Sequence, residues 1–139
     1  MMSALDAVEP GTVLPSLTVR FTRTDLVRYA GASTDFNPIH HSDRAAAELG
    51  LDDVIAHGML TMGTALRVVT DWVGDPGRVL SYAVRFTRPV RVPDTADGTA
   101  VDIEGVVKAV ADGVATVSIE ARCGGEKVLG GAVAEVRVD

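Results

Sequence analysis

Asp35-Phe36-Asn37-Pro38-Ile39-His40 sets a carboxylate and an imidazole five residues apart across an Asn-Pro turn. His57-Gly58-Met59 follows, with His57 seventeen residues beyond His40. This pairing suits one kind of chemistry, in which a proton moves on one carbon while water moves on its neighbour. Taking a proton alpha to a thioester carbonyl needs a base that works near neutral pH, and imidazole supplies one. Expelling the beta-hydroxyl as water needs an acid, and a carboxyl with a raised pKa supplies that. The charge that develops on the thioester oxygen needs a fixed donor. A helix beginning at Gly58 offers free N–H groups and the positive end of its dipole, and glycine lets a ligand come close to the backbone. A purely local role is the competing reading. Asp and Asn before proline commonly bond nearby N–H groups in turns, and a histidine beside them can simply satisfy a buried carbonyl.

The elements that must position these groups can be read from periodicity and punctuation. Thr12 to Phe21 reads as a strand entered after Pro10-Gly11. Thr22 and Asp25 have capping-box spacing, so a short helix runs from Asp25 to Ala30 and stops at Gly31. Ala32 to His41 is irregular, because Pro38 lacks an N–H and biases Asn37 away from helical angles. Ser42-Asp43 starts a second short helix that Gly50 stops. Gly58 to Val73 reads as one long helix, apolar nearly all round and therefore buried on most sides. Gly63 and Ala65 would let it approach a neighbouring backbone closely.

Beyond Gly74-Asp75-Pro76-Gly77 the period changes to two. Leu80, Tyr82, Val84 and Phe86 alternate with Ser81, Ala83, Arg85 and Thr87, as in a half-buried strand. Val101 to Val110 is a further strand, with Gly105 expected as a bulge. Asp112-Gly113 signals a hairpin leading into Val114 to Cys123. Gly124-Gly125 turns the chain into a last strand, Lys127 to Val138. The expected fold class is therefore α+β, an antiparallel sheet curled around one buried helix.

Composition narrows the partners. The chain has 139 residues, enough for one domain with a real core. A net charge of −6 argues against nucleic acid or an anionic membrane surface as the main partner. No apolar run reaches membrane-spanning length. Met1 to Pro10 lacks the pattern of a signal peptide. Only the first few residues and Asp94 to Gly98 look open to disorder. The single Cys123 fits a reducing cytoplasm and falls on an apolar strand face, where a core role is expected. Metal binding is not expected, since His40 and His41 are adjacent and no His-x-x-x-His spacing occurs. His57 is expected to orient the loop entering the helix, and His41 to be exposed. Arg85, Arg88 and Arg91 could meet a phosphate, or could be solvated charges guarding a strand edge. There is no Gly-x-Ser-x-Gly and no glycine-rich phosphate loop.

Tyr29-Ala30-Gly31-Ala32-Ser33-Thr34-Asp35-Phe36-Asn37-Pro38-Ile39-His40 resembles the hydratase motif of the MaoC-like dehydratases, the (R)-specific enoyl-thioester hydratases. Ile55 to Gly63 resembles the entry to that family's central helix. Val73 to Gly77 and Val84 to Thr87 resemble the HadB-type subunit of actinobacterial (3R)-hydroxyacyl-acyl-carrier-protein dehydratases. The resemblance covers nearly the whole chain and implies one MaoC-like hot-dog domain over residues 1–139, with a sheet wrapped around a long helix. It implies Asp35 and His40 as the catalytic pair, the Gly58 N–H as oxyanion donor, and Asn37 as holding the loop or touching substrate. It further implies a lyase acting on acyl-coenzyme A or acyl-carrier-protein thioesters without a cofactor. It implies a homodimer, or a heterodimer with another hot-dog subunit that is catalytically silent. Thr34 stands where the family usually has Gly, which bears on substrate size.

On this reading a (3R)-hydroxyacyl thioester and its trans-2-enoyl thioester interconvert by syn hydration and dehydration. His40 would handle the alpha proton and Asp35 the water, or the two roles would be reversed. The rivals are a hot-dog thioesterase, which would release free acid and thiol, and a non-catalytic acyl-binding subunit.

Overall fold

In the computed structural model the description covers Leu5 and residues 7–139. Met1 to Ala4, expected to be disordered, lie outside it. The sheet is built from β1 (Leu17–Phe21), β2 (Val79–Phe86), β3 (Thr99–Ala111), β4 (Val114–Cys123), β5 (Glu126–Lys127) and β6 (Leu129–Arg137). All pairings are antiparallel in the order β1-β3-β4-β6-β2, and β5 adds to β4. The helices are α1 (Arg23–Ser33), α2 (Asp43–Glu48), α3 (Gly58–Ala65) and α4 (Arg67–Val73). Ala65, Val68, Val69 and Val73 on α3 and α4 are buried in one cluster with Val101, Ile103 and Val107 of β3 and Ala115, Val117 and Ile119 of β4. The sheet therefore closes over the α3–α4 helix, as the periodicity and the resemblance both imply.

Local signals account for several element ends. Thr22 caps α1, and the capping box is complete: its hydroxyl accepts from the Asp25 N–H, while the Asp25 carboxylate accepts from the Thr22 N–H. Ser42 caps α2 by accepting from the Ala45 N–H. Asp112 and Gly113 both have positive φ, the twist that a two-residue hairpin turn requires.

Other expectations need correction. The strand expected over Thr12 to Phe21 is interrupted. Thr12 and Leu14 bond Val107 and Gly105 as a separate bridge, and β1 begins only at Leu17. Pro15, without an N–H, lies at the break. Gly31 does not stop α1, which runs to Ser33 and ends at Thr34. The long helix carries one tight turn at Leu66. There the Leu66 N–H is stretched to 3.4 Å from the Met62 carbonyl, and Val69 bonds back only three residues. Gly105 is not a bulge, because the register shift lies between Val107 and Ala109. A Cβ at Gly105 would instead touch Leu14, Val117 and Val68, so close packing explains that residue. A Cβ at Gly63 would meet nothing within 4 Å, so no close approach occurs there. Asp94 to Gly98 is a turn closed by the Gly98 N–H on Thr95. Cys123 packs against the core as expected, though it is only partly buried, and lies 3.3 Å from the Thr99 hydroxyl. The last strand divides at Val128 into β5 and β6.

The main departure is the flank beside β2. Leu80 and Phe86, expected on the buried face, are half exposed, and Met59 on α3 is 58% exposed. β2 is a sheet edge, so its second side has no strand to bury it. Tyr82 is partly buried against the core. Its hydroxyl donates to the Met62 carbonyl at 2.8 Å and pins β2 to α3. Burial pushes its phenol up to about 12, so it stays a donor at any ordinary pH.

Two stability measurements follow from these contacts. Tyr82→Phe removes a bond between two core elements and is expected to cost about 1 kcal/mol in denaturant unfolding. An unchanged midpoint would show that the bond contributes nothing. Thr34 is a β-branched residue with φ 63° and ψ 16°, a conformation that strains a residue with a Cβ. Thr34→Gly is expected to raise stability by roughly 0.5–1 kcal/mol, the strain relieved less the extra freedom of the unfolded chain. A loss of stability would mean that the hydroxyl bond to Ser33 outweighs the strain.

Candidate active site

The loop after α1 is built to hold Asp35 and His40 together. The Asp35 N–H donates to the Ser33 hydroxyl, and its Oδ1 accepts from the Asn37 N–H at 3.2 Å. Asn37 in turn accepts from the Ile39 N–H and caps the single turn Pro38–His40. Two successive side-chain-to-backbone bonds thus replace the ladder that Pro38 interrupts. His40 points inward, with its side chain 8% exposed, while that of Asp35 is 51% exposed.

The imidazole of His40 is oriented by one contact. Its Nδ1 lies 2.6 Å from the Ile55 carbonyl. A carbonyl only accepts, so Nδ1 carries the hydrogen and Nε2 of the neutral ring presents its lone pair. Nε2 lies 3.8 Å from Asp35 Oδ2. The sequence spacing therefore brings the pair together in space. Ile55 is itself fixed. Its N–H donates to the Ile39 carbonyl, and its neighbours Val54 and Ala56 bond to Val92 and Val90.

His57 ends this segment and starts α3. It is buried and makes no side-chain cap to the helix. Its Nε2 bonds the Asp35 carbonyl at 3.1 Å. Its ring stacks on His40 at 3.8 Å between centroids and meets the edge of Tyr29 at 4.8 Å. Burial, which disfavours the charged ring, and to a lesser extent the nearby His40, lower its pKa against the raising effects of Asp35. His41 is exposed. His57, expected to orient the loop entering the helix, bonds instead to the backbone of Asp35, in the loop after α1.

Asp35, His40 and His57 bring ligand-type atoms within 4.8 Å of one another. Chain spacing did not foresee this cluster, because it arises from folding. The two rings are close to parallel, and one nitrogen of each is engaged by a carbonyl. Tetrahedral coordination needs lone pairs that converge on one point, and parallel rings direct theirs side by side. The cluster suits proton handling better than ion binding.

Gly58 opens α3 beside this pair, and the first N–H groups of a helix have no intrahelical acceptor. A Cβ at Gly58 would come within 3.1 Å of the Phe86 ring, so the glycine lets β2 and the helix start meet. A cleft of about 360 Å³ runs past His40, Gly58 and Thr61 and is otherwise mostly apolar, with Ile55, Val90 and Leu129 among its walls. That volume lies in the range of small-molecule sites. Thr61 and Phe86 were not singled out from the sequence. Thr61 had a signal, a hydroxyl one turn beyond Gly58 on an apolar helix; Phe86 read as core. Arg88 also lines the cleft, with Glu126 at 3.7 Å, whereas Arg91 pairs with Asp52 at 2.7 Å on the surface. Thr34, Asp35 and Asn37 are not among the lining residues. The residue in the usual glycine position therefore strains the loop and does not narrow the cleft.

The family model of the MaoC like domain matches residues 7–122. The chain is 40% identical over 82 residues to 3-hydroxyacyl-thioester dehydratase X of Mycobacterium tuberculosis, a match over 59% of this chain and 28% of that protein. The chain thus spans well under two thirds of that relative. It is 32% identical to the (R)-specific enoyl-CoA hydratase of Rhodospirillum rubrum, over 77% of this chain and 85% of that protein. Among solved structures, a chain of the ChsH1-ChsH2 complex from Mycobacterium tuberculosis superposes with a TM-score of 0.81 at 30% identity, over 94% of this chain and 98% of that one. With the family match running over most of its length, the chain belongs to the MaoC-like domain family.

Proposed function

We propose that this chain catalyses reversible syn hydration of a trans-2-enoyl thioester to the (3R)-hydroxyacyl thioester. The observation that carries the reading is His40, which lines an apolar cleft with Gly58 and holds its bare Nε2 3.8 Å from Asp35. In the dehydration direction, His40 Nε2 takes the alpha proton and the electron pair moves toward the thioester carbonyl. The Gly58 N–H meets the oxygen on which charge develops. The beta C–O bond then breaks, and Asp35, which enters this step as the neutral carboxylic acid, protonates the departing hydroxyl to give water. Asp35 is left as the carboxylate beside protonated His40, and passing that proton from Nε2 back to the carboxylate restores the starting state. Asn37 serves by holding the loop, since its side-chain oxygen caps the turn that carries His40. The thioester itself acidifies the alpha carbon, so the step as written uses no cofactor.

The names of the relatives support this class of reaction. The acyl chain fits the apolar walls of the cleft, and the carrier is coenzyme A or acyl carrier protein. A second hot-dog subunit, identical or different, would cover the open flank formed by Met59, Leu80 and Phe86. Among the described residues no helix is long and apolar enough to cross a membrane. A cytoplasmic location belongs to this reading because the single Cys123 suits a reducing compartment.

The test follows loss of the conjugated enoyl-thioester absorbance with crotonyl-coenzyme A. Asp35→Asn and His40→Ala are each expected to lower kcat at least about a hundredfold, the contribution of one general acid or base. Near-wild-type rates in both variants would remove the pair from the mechanism. Release of free acid and thiol in place of hydration would identify a thioesterase.

A further inference from the structure

We propose that His57 is a positioning residue that holds Asp35 by its backbone and, kept neutral, reserves the proton of the stacked imidazoles for His40. The inference rests on the hydratase reading above. The argument starts from the carbonyl of Asp35, which can only accept. His57 Nε2, 3.1 Å away, must therefore carry the hydrogen. In the neutral ring Nδ1 is then a bare acceptor. This atom is sealed from solvent and has no partner among the described residues.

A second proton would have to sit on that sealed nitrogen, in a ring 1% exposed. A buried charge without a partner is costly. The groups facing His57 do not offset this cost. The Tyr29 ring on α1 meets it edge-on, and the His40 ring lies flat against it. The Asp35 carboxylate is the one anion among these groups, and it is half exposed and directed toward His40 Nε2. A cationic His57 would also repel a protonated His40 across 3.8 Å. His40 has the opposite arrangement. Its Nδ1–H is already bonded, and its second proton would arrive on Nε2, beside the carboxylate. The stack therefore has one site for the migrating proton.

The same bond fixes Asp35. Its half-exposed side chain is held by the Asn37 N–H alone among backbone donors in the described residues, and its carbonyl is tied to a ring wedged between Tyr29 and His40. The tie crosses 22 residues of chain and joins the loop carrying the pair to the start of α3, where Gly58 stands. Acid, base and oxyanion donor are thus held in one frame.

Two measurements on the full chain test this. Imidazole nitrogen NMR of the wild type, between about pH 5 and 8, is expected to show His57 as the Nε2–H tautomer throughout, with His40 the one member of the stacked pair that gains a second proton. If His57 takes a proton before or together with His40, the proposal fails, whatever the variants do. The second measurement uses crotonyl-coenzyme A. His57→Phe keeps a ring in the stack and removes the donor. It is expected to lower kcat on the order of a hundredfold, the effect of a misplaced reacting group, with KM nearly unchanged. His57→Gln restores an N–H donor and is expected to recover roughly tenfold of that loss. Wild-type kcat in His57→Phe would overturn the positioning role. If the variant does not fold, the wild-type spectra decide. A wild type that hydrates no enoyl thioester would count against the proposed reaction, and the spectra would still decide where the proton resides.

Discussion

The hydrogen bond from His40 Nδ1 to the Ile55 carbonyl is the contact on which the site depends. It fixes the tautomer, points the bare Nε2 at Asp35, and joins the loop after α1 to the segment entering α3. That segment is itself stitched to Val90 and Val92. The carbonyl cannot rotate its acceptor away without breaking these backbone bonds. The loop that Pro38 breaks therefore gains its rigidity from elsewhere in the fold. An imidazole held this way loses little freedom when substrate arrives, which is what catalysis by positioned groups requires.

The helix that supplies Gly58 meets two opposing demands. Its α4 half is buried against the sheet by Val68, Val69 and Val73. Its α3 half presents Thr61 to the cleft and leaves Met59 and Gly63 open. The turn at Leu66 separates the two halves, and Tyr82 ties the first of them to the edge strand. Exposed apolar residues collect along that edge, where an additional subunit could bury them. In the ChsH1-ChsH2 complex, a chain of similar fold is part of a two-protein assembly.

Much of this was legible from sequence, and the legible parts share a cause. The Thr22–Asp25 box, the Ser42 cap and the Asp112-Gly113 turn are decided within four residues, so propensity alone locates them. Asp35 and His40 meet because one Asn-Pro turn joins them. His57 joins them through a bond spanning 22 residues, which no local spacing encodes. Leu80 and Phe86 fit strand alternation in the sequence, yet alternation reveals neither the register shifts along β2 nor its place at the edge of the sheet. Gly105 was read as a bulge because glycine weakens strands; its actual cause is the approach of Leu14 and Val68 from other elements. Thr34 shows the converse. Its strain is local, but it becomes evident only once α1 runs past Gly31 and needs a left-handed end.

The central claim is that acid and base act from one face of the substrate. The most direct measurement is hydration of crotonyl-coenzyme A in heavy water, with the configuration of the product read by proton NMR. The account predicts the (3R)-hydroxy product with deuterium on the alpha carbon, on the same face as the new hydroxyl. Deuterium on the opposite face, or an even mixture of the two, would contradict a mechanism in which Asp35 and His40 work side by side.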